Sequence, residues 1–124
     1  MARILVIDDE RDVREVVYNA LESAGYEVLL AEDGAQGLRL QRGSPADVVI
    51  TDMFMPDKEG IETIRDLRQE FPALRIIAMS GGGRLKKPGS PLYTAVELGA
   101  TTVLHKPFKS GDLLQSVREA LCDK

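Results

Sequence analysis

The chain has 124 residues, 44% of them hydrophobic, which is enough to build one domain around one core. Its formal net charge is −4, and its 16 Lys and Arg residues are scattered, so we expect no direct nucleic acid binding by this chain. One cysteine, Cys122, excludes an internal disulfide, and no apolar run is long enough for a membrane span, which predicts a cytoplasmic protein without membrane association.

Strand-like and helix-like segments alternate from one end of the chain to the other. Short apolar runs predict strands at 4–7, 28–31, about 47–51, 75–79 and 101–104. In the first predicted helix, which Gly25 closes, the apolar residues recur at three and four positions and are expected to be buried. They are Val13, Val16, Val17, Ala20, Leu21 and Ala24.

The later helices follow the same pattern. The second is predicted from about Gly34 to Arg42, and the third ends before Pro72. The last helix follows the fifth strand, with Ser110 as its expected N-cap. Its buried face is predicted from Leu113, Leu114, Val117 and Leu121.

Strand and helix units repeated in one direction predict an α/β fold with a parallel sheet and helices on both faces. Five strands are too few for a (β/α)₈ barrel, so we expect an open, doubly wound sheet of order 2-1-3-4-5. This is the flavodoxin-like (βα)₅ architecture, with residues 1–124 as a single domain.

Polar residues stand where the predicted strands end. Asp8 and Asp9 follow the first strand, and Asp52 follows the third. In an open parallel sheet these ends form the ligand-binding edge. Two carboxylates about 4 Å apart repel by roughly 4 kcal/mol at an effective dielectric of about 20, so a hard cation such as Mg²⁺ is expected among them. The fourth strand ends at Ser80 and the fifth runs into Lys106, and together these groups match the needs of phosphoryl transfer.

Four stretches carry a resemblance to a known family: ILVIDDE (4–10), VVITDMFMPDKEG (48–60), IIAMSG (76–81) and VLHKPF (103–108). In this order and spacing, the sequence resembles a receiver domain of the two-component response-regulator family. The resemblance covers essentially the whole chain. It implies a phosphorylation-dependent signalling switch, and not an enzyme that turns over a free metabolite.

The resemblance also assigns a magnesium site. It implies that Asp9 and Asp52 bind Mg²⁺ directly, together with the backbone carbonyl of Phe54. Asp8 would act mainly through a metal-bound water.

Phosphoryl chemistry is carried over in the same way. Asp52 corresponds to the residue that accepts a phosphoryl group from a phosphohistidine on a histidine kinase or phosphotransfer protein. Ser80 corresponds to the hydroxyl that hydrogen-bonds the phosphoryl oxygen, and Lys106, followed by Pro107, to the lysine that pairs with it. The signal would pass to a downstream output protein or domain.

Three other functions are compatible with parts of the pattern. A Mg²⁺-dependent phosphohydrolase or phosphotransferase would need a second acid-base carboxylate near Asp52, where Phe54 stands. A nucleotide- or flavin-binding module would want a glycine-rich loop after the first strand, where this chain is acidic. A degenerate receiver would bind partners without being phosphorylated, but would have lost a site residue.

One position on the family's usual route of output differs in this chain. Family members often carry Tyr or Phe three residues before the lysine, where this chain has Val103. Valine is stiff at χ1, so a rotamer exchange of an aromatic ring cannot carry the signal. The neighbouring His105 is interpreted as a surface or interface residue, because strand alternation directs it away from Leu104.

We therefore expect the output to run through Ser80 and the long connector 81–91, with Tyr93 beyond it. Amide hydrogen exchange with and without a bound phosphoryl mimic would measure this. Exchange in 81–91 should change when the mimic binds, whereas an unchanged segment would rule the route out.

Overall fold

The computed structural model describes residues 2–53, 60–80, 100–105 and 108–122, without the side chains of 60, 61 and 80. The strands are β1 (Arg3–Ile7), β2 (Glu27–Ala31), β3 (Val48–Asp52), β4 (Arg75–Ser80) and β5 (Thr102–His105). The helices are α1 (Arg11–Ser23), α2 (Gly34–Gly43), α3 (Gly60–Glu70) and α4 (Ser110–Cys122). Among these residues no helix is both long and apolar enough to cross a membrane. The connector 81–91, Tyr93, Phe54, Lys106 and Pro107 lie outside the described residues.

All five strands form one parallel sheet in the order β2-β1-β3-β4-β5, which confirms the predicted order. The central strands read as continuous apolar runs because the sheet is covered on both faces. On one face Leu5, Val49 and Ile76 pack with α2 and α3, through Leu38 and Leu67. On the other face the alternate strand residues pack with α1 and α4. These are Ile4, Val6, Val48, Ile50, Ile77 and Met79.

Two strands begin one residue later than predicted, and for the same reason. Asp47 stands before β3, donates its N–H to the carbonyl of Arg3 at 2.8 Å, and accepts the N–H of Arg3 on its carboxylate at 2.9 Å. Thr101 stands before β5 and binds the backbone of Ile76 in the same two-point way, with its hydroxyl oxygen as acceptor. Both residues therefore use a side chain where the sheet would use a carbonyl.

The first helix is one place where the sequence prediction is partly wrong. Val17 and Leu21 are buried as expected, but Val16 is 61% exposed and Ala24 is also exposed. The buried stripe of α1 is therefore narrower than the apolar repeat suggested. Gly25 closes the helix as predicted, with a φ of 93° that suits a residue without a Cβ.

The end of α1 is a Schellman motif. The N–H of Gly25 donates to the carbonyl of Glu22 at 2.9 Å, and the N–H of Tyr26 donates to the carbonyl of Leu21 at 3.2 Å. This pair of bonds turns the chain directly into β2.

The start of the last helix also differs from the prediction. Because α4 begins at Ser110 itself, the residue in the N-cap position is Lys109 and not Ser110. Lysine has no side-chain acceptor for the helix N–H groups, so Asp112 makes the reciprocal bond: its carboxylate accepts the N–H of Lys109 at 3.3 Å.

An ion pair ties α2 to α3 at the surface. Arg42 Nε donates to Glu70 Oε2 at 2.7 Å, and this hydrogen bond holds the pKa of the Glu70 carboxyl below its ordinary value. Both side chains are exposed, so the pair adds little to stability.

Close packing of α2 on β1 gives a test of the fold beside Asp8. A Cβ placed on Gly37 would clash with Cδ1 of Ile7 and lie 2.9 Å from its Cγ1, so this fully buried side chain would have to shift within a close-packed core. We expect Gly37→Ala to lower the free energy of unfolding by about 1–3 kcal/mol in urea titrations.

Gly43→Ala in the same helix is the control, since nothing lies within 4 Å of its added Cβ. It should be neutral or stabilising by up to about 1 kcal/mol. Equal effects of the two substitutions would show that the Gly37 contact with Ile7 is unimportant.

Candidate metal centre

Three aspartates meet at the carboxyl edge of the sheet, as a result of strand register. β1 and β3 are neighbours, and Ile7 is paired with Thr51 as the last partners of their ladder. The next residue along each strand is an aspartate, Asp8 after Ile7 and Asp52 after Thr51. Residues far apart in sequence therefore lie side by side.

The carboxylates of Asp8, Asp9 and Asp52 each offer an oxygen, and these oxygens all lie within 4.8 Å of one another. Asp8 is fully buried, Asp52 is 5% exposed, and Asp9 is exposed. The cluster thus forms a shallow site with two carboxylates at its floor and one at its rim.

Local hydrogen bonds hold the turn from β1 into α1. The N–H of Asp8 donates to the carbonyl of Ala31 at 3.1 Å, which extends the pairing of β1 with β2 by one residue. Oδ1 of Asp8 accepts the N–H of Glu10 at 2.8 Å. The Asp8 side chain is therefore oriented by the backbone that follows it.

The arrangement concentrates negative charge where solvent is scarce. At a separation of 4.8 Å, two carboxylates repel by about 3 kcal/mol at an effective dielectric near 20. Oxygen donors grouped at this spacing are the ligand type that hard divalent cations prefer. The described residues therefore fit a cation of the Mg²⁺ class.

The structure describes the other predicted site residues only in part. β4 ends at Ser80, one residue beyond Met79, and Met79 is the register partner of Asp52. The Ser80 backbone is thus at the same edge as the aspartates. Phe54 and Lys106 lie outside the described residues, although β5 ends at His105, the residue before Lys106. Their chemical roles stay predictions.

Val103, which departs from the family pattern, and the neighbouring His105 both lie on β5. Val103 is half-buried and His105 is exposed, next to the buried Leu104. The exposure of His105 agrees with its interpretation as a surface residue.

Sequence reasoning missed one residue that contacts the acidic turn. Nη1 of Arg14, on α1, donates to the backbone carbonyl of Asp8 at 2.7 Å. The available signal was an arginine five residues after Asp9, among apolar positions of α1. That pattern alone is also typical of an exposed arginine.

The comparisons with known proteins agree with this geometry. The family model of the response regulator receiver domain matches residues 4–118. A solved receiver domain protein from Clostridium thermocellum superposes with a TM-score of 0.88 at 35% identity, covering 98% of this chain and 94% of that one.

Curated relatives include two transcriptional regulatory proteins. CpxR of Klebsiella pneumoniae is 35% identical over 121 residues, which are 98% of this chain and 50% of that protein. KdpE of Escherichia coli is 36% identical over 121 residues, 98% of this chain and 52% of that protein. The chain thus spans about half the length of these relatives. The match runs through both strands that carry the acidic cluster, and the chain belongs to the response regulator receiver domain family.

Proposed function

We propose that this receiver domain is switched by transfer of a phosphoryl group to Asp52, with Mg²⁺ held by Asp8, Asp9 and Asp52. The observation that carries the proposal is the approach of the three carboxylate oxygens to within 4.8 Å. Repulsion between clustered carboxylates is offset when a cation binds among them, so such a cluster is typical of a cation site.

Burial supports Asp52 as the acceptor among the three. Asp8 is fully buried, so a donor cannot approach its carboxylate. Asp9 is exposed, and an acyl phosphate there would be open to bulk water. Asp52 lies at the end of a central strand and is 5% exposed, so its side chain is largely shielded from bulk water without being fully enclosed.

The transfer itself is a simple displacement. The P–N bond of the donor phosphohistidine breaks, its electron pair returns to the imidazole nitrogen, and a carboxylate oxygen of Asp52 forms the new P–O bond. When bound, Mg²⁺ would neutralise charge on the phosphoryl oxygens. Asp9 and Asp52 would supply oxygen donors to it directly and Asp8 mainly through a metal-bound water, and the carbonyl of Phe54 is proposed as a further donor.

Two more groups are proposed to contact the phosphoryl group. Ser80 would donate a hydrogen bond from its hydroxyl, and Lys106 would pair its ammonium with a phosphoryl oxygen. The position of the Ser80 backbone beside Met79, the partner of Asp52, supports the first assignment. The end of β5 at His105 supports the second, because Lys106 follows directly.

In this scheme the protein is a switch that catalyses only its own phosphorylation and dephosphorylation. Its proposed partners are a histidine kinase or phosphotransfer protein as donor and an output protein or domain as receiver of the signal. The relatives, which are about twice as long and are named as transcriptional regulators, support an output step beyond the matched region. Retention of all three carboxylates argues against a degenerate receiver.

The central assignment is tested by phosphorylation with a small-molecule phosphodonor and Mg²⁺, followed by intact mass measurement. The wild type should gain the mass of one phosphoryl group, and Asp52→Asn should gain none, because an amide is a much poorer nucleophile than a carboxylate.

Asp47→Asn is the matched control, since Asp47 stands at the opposite end of β3 and binds the Arg3 backbone. It should be phosphorylated like the wild type. The proposal would be overturned if Asp52→Asn were phosphorylated to the wild-type level, or if the wild type gained no phosphoryl group.

Charge crowding gives a second test, in the absence of phosphodonor. In chelator, Asp52→Asn should raise the free energy of unfolding by about 1–2 kcal/mol, because one buried negative charge is removed. Asp9→Asn should raise it less, since water and salt screen an exposed carboxylate.

With saturating Mg²⁺ the wild type should be more stable than Asp52→Asn. Bound Mg²⁺ adds its binding free energy to the stability of the wild type, and Asp52→Asn loses this contribution. Urea titrations in chelator and in Mg²⁺ measure both effects. An Asp52→Asn protein that is less stable than the wild type in chelator would contradict the electrostatic argument.

A further inference from the structure

The side chain of Arg14 reaches from α1 to the acidic turn and makes a backbone contact there. Arg14 is the fourth residue of α1 and is half-buried. Its Nη1 donates to the carbonyl oxygen of Asp8 at 2.7 Å. A charged donor at this distance makes one of the stronger hydrogen bonds found in proteins.

The acceptor of this bond belongs to the peptide group that joins Asp8 to Asp9. A peptide group is planar, so the carbonyl of Asp8 and the N and Cα atoms of Asp9 lie in one plane. Fixing the direction of that carbonyl therefore fixes where the Asp9 Cα stands, and with it the origin of the Asp9 side chain.

Other hydrogen bonds hold the groups on either side of this plane. The N–H of Asp8 is bound to Ala31, and Oδ1 of Asp8 is bound to the N–H of Glu10. The N–H of Arg14 in turn donates to the carbonyl of Glu10 at 3.1 Å. Arg14 thus contacts the turn twice, through its backbone and through its guanidinium.

We propose that Arg14 is a positioning residue for the cation site, which it serves by orienting the Asp8–Asp9 peptide group and not by its charge. The inference rests on the proposed function, since it assumes that the three carboxylates bind Mg²⁺. Hydrogen-bonding partners behind metal ligands commonly control metal affinity in this way.

The two possible roles of Arg14 predict opposite signs. A positive charge beside a cation site repels the cation, so an arginine that acted only through its charge would weaken Mg²⁺ binding, and its removal would strengthen it. An arginine that orients a ligand strengthens binding, and its removal would weaken it.

The experiment measures the Kd for Mg²⁺ alone by isothermal titration calorimetry, without phosphodonor. We expect Arg14→Met to bind Mg²⁺ about tenfold more weakly than the wild type, although the variant is more negative by one charge. Arg14→Lys keeps the charge and one donor, and should fall between the two.

Arg11→Met is the matched control. Arg11 is on the same helix, its side chain is 82% exposed, and its ion pair with Glu15 is long at 3.7 Å. The variant loses the same charge without touching the turn, so its Mg²⁺ affinity should equal or slightly exceed that of the wild type.

The outcomes separate the inference from the proposed function. If the wild type binds Mg²⁺ and Arg14→Met binds it as well as Arg11→Met or more tightly, the positioning role is wrong and the proposed function stands. If the wild type binds no Mg²⁺, both are wrong. Should Arg14→Met fail to fold, Arg14→Lys decides, since a wild-type Kd in that variant would also overturn the inference.

Discussion

The parallel pairing of β1 with β3 is the constraint on which the rest of this structure depends. Ile7 and Thr51 end that ladder together, so the two aspartates that follow them are adjacent. Both strands are buried on both faces, and a slip of one residue would exchange the side chains of the two core clusters. Core packing therefore protects the register, and the register sets the geometry of the acidic site.

Hydrogen bonds from two neighbouring elements hold the turn that carries Asp8 and Asp9. α1 begins against the acidic turn through Arg14 and ends at Gly25 in a Schellman motif that leads directly into β2. β2 returns to the same turn, where Ala31 accepts the N–H of Asp8. The α1–β2 segment that follows this turn therefore also holds it in place. These contacts suit a site whose charges repel, since they oppose a movement of the carboxylates away from one another.

Much of the fold could be predicted because strands buried on both faces of the sheet appear in the sequence as short, continuous apolar runs. The apolar runs located all five strands, and the alternation of strands and helices implied the sheet order. The errors arose where a side chain replaced a backbone partner, as at Asp47 and Thr101, so that two strands begin one residue later than predicted. Val16 was misplaced because apolar spacing defines a helix face only to within about one residue, whereas the neighbouring elements decide how wide the covered stripe is.

The sequence by itself determined the identity of the acidic residues and the strand ends that carry them, since strand periodicity and family motifs are local properties. Only the tertiary structure decided that the three carboxylates approach to within 4.8 Å, and that Asp8 is fully buried while Asp9 is exposed. It also decided that the arginine that contacts the turn is Arg14. These depend on register and on the docking of α1, which are contacts between distant segments that no local pattern records.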